Sequence, residues 1–518
     1  MTRYGRILIL ILVIVLVAQI GLDLFTQTRE PASSGRSADR FPRIRPDYVN
    51  VVLPPNIAPT NFVIDEEGTR FHVRISGAEG RGIGVRSRRP SIRIPEGAWR
   101  RLLDENRGRS IRVDVSVRDR GGEWIFFRPI FNRVAAEPVD RYLSYRLINS
   151  VYFWYNHRPE MCLYLRDVEG FEERRILHNY SLRSNRCVNC HTCAAYRTET
   201  MAVQLRGEPG PAMVTLRDGR IAEVDLRGRA KNGLVSFISI HPQGRLAAFA
   251  ALRLGFFSKC TGEAREVFEF ASDLGLYRFD TGAFSIPKAI ATEEYVETLP
   301  AWSGDGSHLY FCRTKPQWPA DAPREGLPSN YRDVRYDLMR IPYDAEKDKW
   351  GQVETVLTAK ETGKSIAQPS VSPDGRWVVF CMQDYGMWPL VRPDSDLYLL
   401  DVKMRAYHRL SCSSDAAEAS HEWSSNGRWI VFASKRKDKV FTRLYLAYIG
   451  PDGRSAKAVE LPQRDPAAHE RLLRVYNLPR LLTEPMPFTE EDLACAIDAA
   501  SAGEEAQPAG ERRRQNAH

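Results

Sequence analysis

From Tyr48 to about Ala135 the chain alternates short apolar runs with turn residues: Phe62-Val-Ile, Phe71-His-Val-Arg-Ile, Ile92-Arg-Ile, Ile111-Arg-Val-Asp-Val-Ser-Val and Trp124-Ile-Phe-Phe. Ile111, Val113, Val115 and Val117 recur at every second residue, the period of a strand with one face buried. The pattern predicts a small β-sandwich over residues 47–135 with one short helix at Ala98–Glu105. None of its residues suggests chemistry. Residues 136–200 bring dense aromatics (Tyr142, Tyr145, Tyr152, Phe153, Trp154, Tyr155), then a cysteine cluster, and few long strands, which predicts a helical, loop-rich connector.

From about residue 201 to 488 one phrase returns, a turn followed by an apolar strand ending in Phe. Its copies are His241-Pro-Gln-Gly-Arg-Leu-Ala-Ala-Phe249, Ser303-Gly-Asp-Gly-Ser-His-Leu-Tyr-Phe311, Ser372-Pro-Asp-Gly-Arg-Trp-Val-Val-Phe380 and Ser424-Ser-Asn-Gly-Arg-Trp-Ile-Val-Phe432. The Gly permits positive φ in a tight turn, the residue before it can hydrogen-bond the local backbone, and the run after it pairs as a strand. A segment such as Leu299-Pro-Ala-Trp precedes the turn, and a third strand such as Asp273-Leu-Gly-Leu-Tyr, Asp337-Leu-Met-Arg-Ile or Asp396-Leu-Tyr-Leu-Leu follows it, with a fourth to complete the unit. Gly244, Gly306, Gly375 and Gly427 stand 62, 69 and 52 residues apart, wider than the roughly 40–45 of a compact blade, so loops are inserted. Four-stranded units repeated in this way predict a β-propeller. A partial copy around Gly219 suggests a fifth blade and leaves room for a sixth. The fold class is mainly β.

Ser372-Pro-Asp-Gly-Arg-Trp, followed by a strand and then Asp396-Leu-Tyr, resembles the repeat of TolB-type periplasmic propellers over about 290 residues. That resemblance implies the fold and says nothing of a ligand, since unrelated functions share it. With Cys187-Val-Asn-Cys-His, Phe62-Val-Ile and Trp423-Ser-Ser-Asn-Gly-Arg-Trp, the chain is also similar to bacterial exported proteins that join a Cys-x-x-Cys-His segment to such a propeller.

Two further segments frame these units. After Arg3 and Arg6, residues 7–22 are uncharged and almost all Ile, Leu and Val, which predicts a signal-anchor helix over residues 1–25 at a bacterial inner membrane, with the bulk of the chain periplasmic. A cleaved signal peptide is the competing reading, though no small-x-small cleavage site is evident. Residues 26–46 have the composition of a flexible tether, and residues 489–518 that of a polar, disordered tail. The net charge of +9 is spread along the chain rather than gathered in a stripe, so no nucleic-acid partner is expected.

Nine cysteines exclude complete pairing within the chain, and three of them fall in Cys187-Val-Asn-Cys190-His191-Thr-Cys193. Cys-x-x-Cys-His is the attachment signature of haem c, in which both thiols form thioethers and the His ligates iron from the proximal side. On this reading Cys187 and Cys190 attach haem and His191 is the proximal ligand. Met201 is the distal candidate, with Met213, His178 and Met161 as others. A structural zinc site of Cys187, Cys190, His191 and Cys193, or a disulfide of Cys187 with Cys190 or Cys162 and no cofactor, are the alternatives. His241 and His421 sit near the repeat turns, where a structural role is expected, and His421-Glu422-Trp423 could line a central channel.

No Gly-x-Ser-x-Gly elbow, phosphate loop or His-Glu-x-x-His helix is present, so an enzyme is not the favoured reading. The sequence therefore points to a membrane-tethered haem c protein for electron transfer or redox sensing. The alternative is a non-redox TolB-like scaffold that binds an envelope protein or peptide at the propeller face.

Overall fold

The computed structural model describes residues 35–149, 160–183, 186–208, 210–228, 234–258, 265–319 and 328–501. The expected anchor, Tyr152 to Tyr155 and Cys260 lie outside these residues. Among the described residues no helix is long and apolar enough to cross a membrane. The chain forms two compact units: one of the residues up to Asn50 with Pro59–Val134 and Pro462–Ala468, the other of Val51–Ala58, Ala135–Leu461 and the residues from His469 onward.

In the first unit, Ser110–Arg118 is flanked by Arg70–Ser76 on one side and by Trp124–Phe126 and Ile130–Val134 on the other, with Ile83–Ser87 beyond Arg70–Ser76. A second sheet joins Ile44–Arg45, Phe62–Ile64 and Ser91–Ile92. The period of two puts Ile111, Val113, Val115 and Val117 inside. Helix α1 (Glu96–Glu105) begins two residues before the expected start, directly after an extended Pro95 at its N-cap, and it buries Trp99, Leu102 and Leu103. It ends where the Asn106 amide bonds the Leu102 carbonyl at 2.8 Å. The expected tether is shorter than its composition suggests. Arg36–Ser37 and Ile44–Arg45 already pair as strands, and Arg40 is held by Glu66 and lies over the Phe127 ring.

The second unit is a β-propeller. Six antiparallel sheets, counted over the described residues, each begin with an inner strand: β1 (Arg186–Ala194), β2 (Leu234–Ile240), β3 (Val296–Trp302), β4 (Ser365–Val371), β5 (Glu418–Trp423) and β6 (Arg474–Leu482). Each inner strand neighbours the next, and β6 neighbours β1, so the ring closes. Closure joins distant parts of the chain. β6 pairs with Tyr142–Asn149, which pairs with Met161–Asp167 and then Glu173–His178, so the last blade takes its inner strand from one end of the unit and its outer three from the other.

This corrects the expected connector. Residues 142–149, 161–167, 173–178 and 186–194 are blade strands, and their aromatic side chains, Tyr145 stacked on Tyr164 and against Tyr476, are propeller core. The Gly219 hairpin, read as the start of a blade, instead joins the third and fourth strands of blade one. Part of the expected polar tail is helix α2 (Glu490–Ser501). Thr489 and Asp492 cap each other across its start, and Leu493 and Ile497 pack with Ile176, Leu182 and Ile221.

The repeated turns owe their shape to one hydroxyl. In blade four the Ser372 Oγ donates to Asp374 and accepts from the Trp377 N–H at 2.9 Å, while the Gly375 N–H donates to the Ser372 carbonyl. Ser303 and Ser424 make the same bonds with Asp305 and Asn426. His241 substitutes for Ser in blade two, its Nδ1 accepting from the Gln243 N–H.

Candidate binding site in the propeller channel

Every inner strand carries a two-residue bulge. The pairing register slips between Val188 and His191 in β1, Ser236 and Ser239 in β2, Thr298 and Ala301 in β3, Ala367 and Ser370 in β4, Ala419 and Glu422 in β5, and Asn477 and Arg480 in β6. In five of them the first extra residue is left-handed: Phe237, Leu299, Gln368, Ser420 and Leu478, with φ between 49° and 55°. A bulge leaves its residues out of the ladder and re-aims them. Here they turn into the central channel, and Pro is tolerated at 300, 369 and 479 because no ladder N–H is needed there.

The bulges and the turns together enclose a cavity of about 410 Å³ with contributions from all six blades. Its rim includes Pro242, Ser303, Gly304, Pro373 and Ser425, which belong to the repeated turns, and Ala195 and Tyr196, the corresponding turn of blade one. The rim is interlocked. His241 Nε2 lies 3.2 Å from the Gly306 carbonyl, the Trp423 indole donates to the Ser370 carbonyl, and a Cβ on Gly304 would fall 2.3 Å from the Pro373 oxygen. Asp140 accepts from the Ser425 N–H and holds the rim of blade five.

The wall mixes proline and aliphatic side chains with polar ones in nearly equal measure, among them Thr192, Gln368, Ser420, Glu422 and Arg480. Arg480 pairs with Glu422, and its buried Nε has no partner. Burial lowers its pKa. The Ser420 N–H donates to Gln368 Oε1 at 2.8 Å. His421 lines the channel but is structural: Nε2 bonds the Val379 carbonyl, Nδ1 lies 3.7 Å from Cys381 Sγ, and burial pushes its pKa down to about 4, so it stays neutral.

Cys187, Cys190 and His191 all lie on β1, and Met201 lies on the next strand opposite Cys193. Cys190 faces the channel with its Sγ 3.5 Å from the Ser236 hydroxyl, which also accepts from Arg206 at 2.7 Å. Cys187 is in register with Arg206. His191 turns the other way. It is 1% exposed, and its Nε2 sits 2.9 Å from Ser144 Oγ of blade six. Met201 is buried among Leu177, Val188 and Val203. Met213 is buried in the core between blades one and two, while His178 and Met161 belong to the outer strands of blade six.

Haem attachment needs both thiols and the imidazole to present to one open side. Here the strand sends Cys190 and His191 to opposite faces, and the ring is enclosed, so the residues in this arrangement do not fit haem c. Among the described residues no three of His, Cys, Asp or Glu converge to hold a metal ion, and the eight described cysteines are thiols.

The bulges are the part of the site the pattern of residues did not announce. A signal was present: Ile238, Pro300, Pro369 and His421 each stand three residues before the turn residue of their blade.

No family model and no curated protein matches the chain. Among solved structures, a prolyl endopeptidase is similar at 12% identity over 62% of this chain and 42% of that one, with a TM-score of 0.33. The tricorn protease is similar at 12% identity over 80% and 36%, with a TM-score of 0.32. The oligogalacturonate lyase of Vibrio parahaemolyticus is similar at 10% identity over 52% and 78%, with a TM-score of 0.31. The chain thus spans less than half the length of the two peptidases. Likenesses this distant add nothing to what the sheet topology shows by itself: a β-propeller with a lined central channel.

Proposed function

We propose that this propeller is a binding module whose channel mouth receives a peptide segment ending in a free carboxylate. The observation that carries this reading is the cavity itself, which combines proline and aliphatic side chains with hydroxyl and amide groups and holds one guanidinium, Arg480, with an unused, buried Nε–H. A concave site that combines apolar walls with convergent polar groups is the usual form of a ligand pocket. A terminal carboxylate would supply the acceptor that the Arg480 Nε lacks, beside the pair that Arg480 makes with Glu422.

The test is fluorescence anisotropy with labelled peptides of apolar C-terminal sequence, as free acids and as amides. Free acids bind the wild type, amides bind about tenfold more weakly, and Ser370→Trp, which fills the channel from β4, abolishes binding with the fold intact. Equal binding by Ser370→Trp would overturn the reading.

On the sequence of residues 1–25 we place the module at a bacterial inner membrane, facing the periplasm. The Cys-x-x-Cys-His signature keeps a second reading in play, in which 186–194 leaves the sheet during haem attachment. A pyridine haemochrome assay after export with a haem c maturation system decides it, since a colourless, folded product ends that reading.

A further inference from the structure

The base of the channel beside Cys190 holds more positive charge than the described residues neutralise. Arg146 reaches the Asn189 side chain at 2.9 Å, Arg206 reaches Ser236, and neither pairs with a carboxylate. The Nε of each is buried without a partner. Glu422, the carboxylate of the channel wall, is taken by Arg480. Opposite the β1 bulge, on the neighbouring strand, stands Gln204. It is fully buried, and neither its amide oxygen nor its amide nitrogen has a hydrogen-bond partner. Orphaned polar groups and uncompensated guanidinium ions are costly to bury. Together they suit this corner of the channel to a polar, anionic group.

We infer that Cys190 is a channel-facing nucleophile that exchanges with small, carboxylate-bearing disulfides, so that the propeller carries a covalent acceptor site for a low-molecular-weight thiol. The thiolate is the counter-ion at hand for Arg146 and Arg206. Burial opposes it, but the two guanidinium groups, the Ser236 hydroxyl and the Phe237 N–H outweigh burial and bring this thiol below the ordinary cysteine value. Cys193, also on the channel wall, has Arg480 and the Tyr196 backbone beside it, but there burial outweighs them and pushes its pKa up to about 12, so it keeps its proton. Two channel cysteines thus differ in reactivity by their neighbours.

In the exchange, the Cys190 sulfur attacks one sulfur of the disulfide. The new S–S bond forms as the reagent's own S–S bond breaks, and the second half leaves as a thiolate that takes a proton from water. The protein sulfur is oxidised and half of the reagent reduced. The reaction removes the negative charge that faced Arg146 and Arg206. An adduct that brings a carboxylate restores it, whereas a neutral or cationic adduct does not, and this is the origin of the selectivity. The amide of Gln204 is placed to bond the same group. This inference does not depend on peptide binding at the mouth.

The test uses the full chain, reduced, with three aliphatic disulfides: dithiodipropionate, bis(2-hydroxyethyl) disulfide and cystamine. Adducts are located by peptide mapping and their rates divided by that of Cys495, the exposed thiol on α2. The expected result is modification of Cys190 and not Cys193, with dithiodipropionate favoured over cystamine by at least about tenfold relative to Cys495. Arg206→Lys retains most of that preference and Arg206→Gln loses it. Should Arg206→Gln fail to fold, the wild-type preference is followed against salt instead, and it persists because the site is enclosed. Adducts only at Cys495, or a Cys190 rate indifferent to reagent charge, would overturn the inference.

Discussion

Gly306 and Gly375 occupy the same position of the same turn in neighbouring blades, with φ of 75° and 71°, yet replacing each by Ala has different consequences. The left-handed conformation alone costs an alanine about 1 kcal/mol. At Gly375 nothing lies within 4 Å of an added Cβ, so that is the whole effect. At Gly306 the Cβ would sit 2.2 Å from His241 Nε2. The imidazole cannot retreat, since it is buried and packed edge-on against Trp302 and Tyr343 at centroid distances of 4.8 and 5.9 Å. Its bond to the Gly306 carbonyl is lost, leaving a buried ring nitrogen unpaired at a further cost of about 1–3 kcal/mol. Gly306→Ala is therefore expected to destabilise the propeller by about 2–4 kcal/mol, and Gly375→Ala by about 1. The assay is the urea midpoint followed by tryptophan fluorescence, for the two variants beside wild type. Equal shifts would refute the argument that the turns of blades two and three interlock.

Other outcomes follow from the same geometry. Ser372→Ala removes the hydroxyl that bridges Asp374 and the Trp377 N–H, and is expected to cost about 1–2 kcal/mol in the same urea assay, with Ser372→Thr partly restoring it. Glu269 is buried, and burial raises its carboxyl pKa to about 7 despite bonds from Thr298 and Tyr336. Because its folded value lies above the unfolded one, the stability it contributes is full below pH 4.5 and is lost as pH rises through 7, by up to about 3 kcal/mol. Glu269→Gln is expected to flatten the fall in melting temperature over that interval, and an unchanged slope would show that the carboxyl is not the group responsible. Ending the chain at residue 473 removes β6 and α2, uncovers the edge of Tyr142–Asn149, and is expected to abolish cooperative melting by circular dichroism.

What was legible in the sequence follows from how local each signal is. Four blades announced themselves because their first hairpin is a contiguous Ser-x-Asp-Gly or similar turn, whose hydroxyl, carboxylate and glycine act within a few residues of one another. Blade one hid because its turn uses Ala195 and Tyr196 at φ of 47° and 65°, residues that carry no turn signal. Blade six hid because its strands come from 142–178 and 474–482, and no local pattern reports a pairing that distant. Cys187-Val-Asn-Cys-His was conspicuous as letters, but its chemistry depends on conformation. A strand with a bulge after Val188 separates Cys190 from His191, whereas the haem reading needs them on one side. The cavity was half legible: the turns that mark the repeat also form its rim, while the bulges that shape its wall depend on backbone register.

The central claim, that the channel mouth is where this protein binds, is tested most directly by hydrogen exchange with and without a saturating free-acid peptide. The account predicts added protection at the bulges and turns of successive blades, around 298–306, 368–375 and 420–427, with the outer strands unchanged. Protection confined to outer strands such as Ala406–Arg409, or none at the rim with the peptide demonstrably bound, would contradict it.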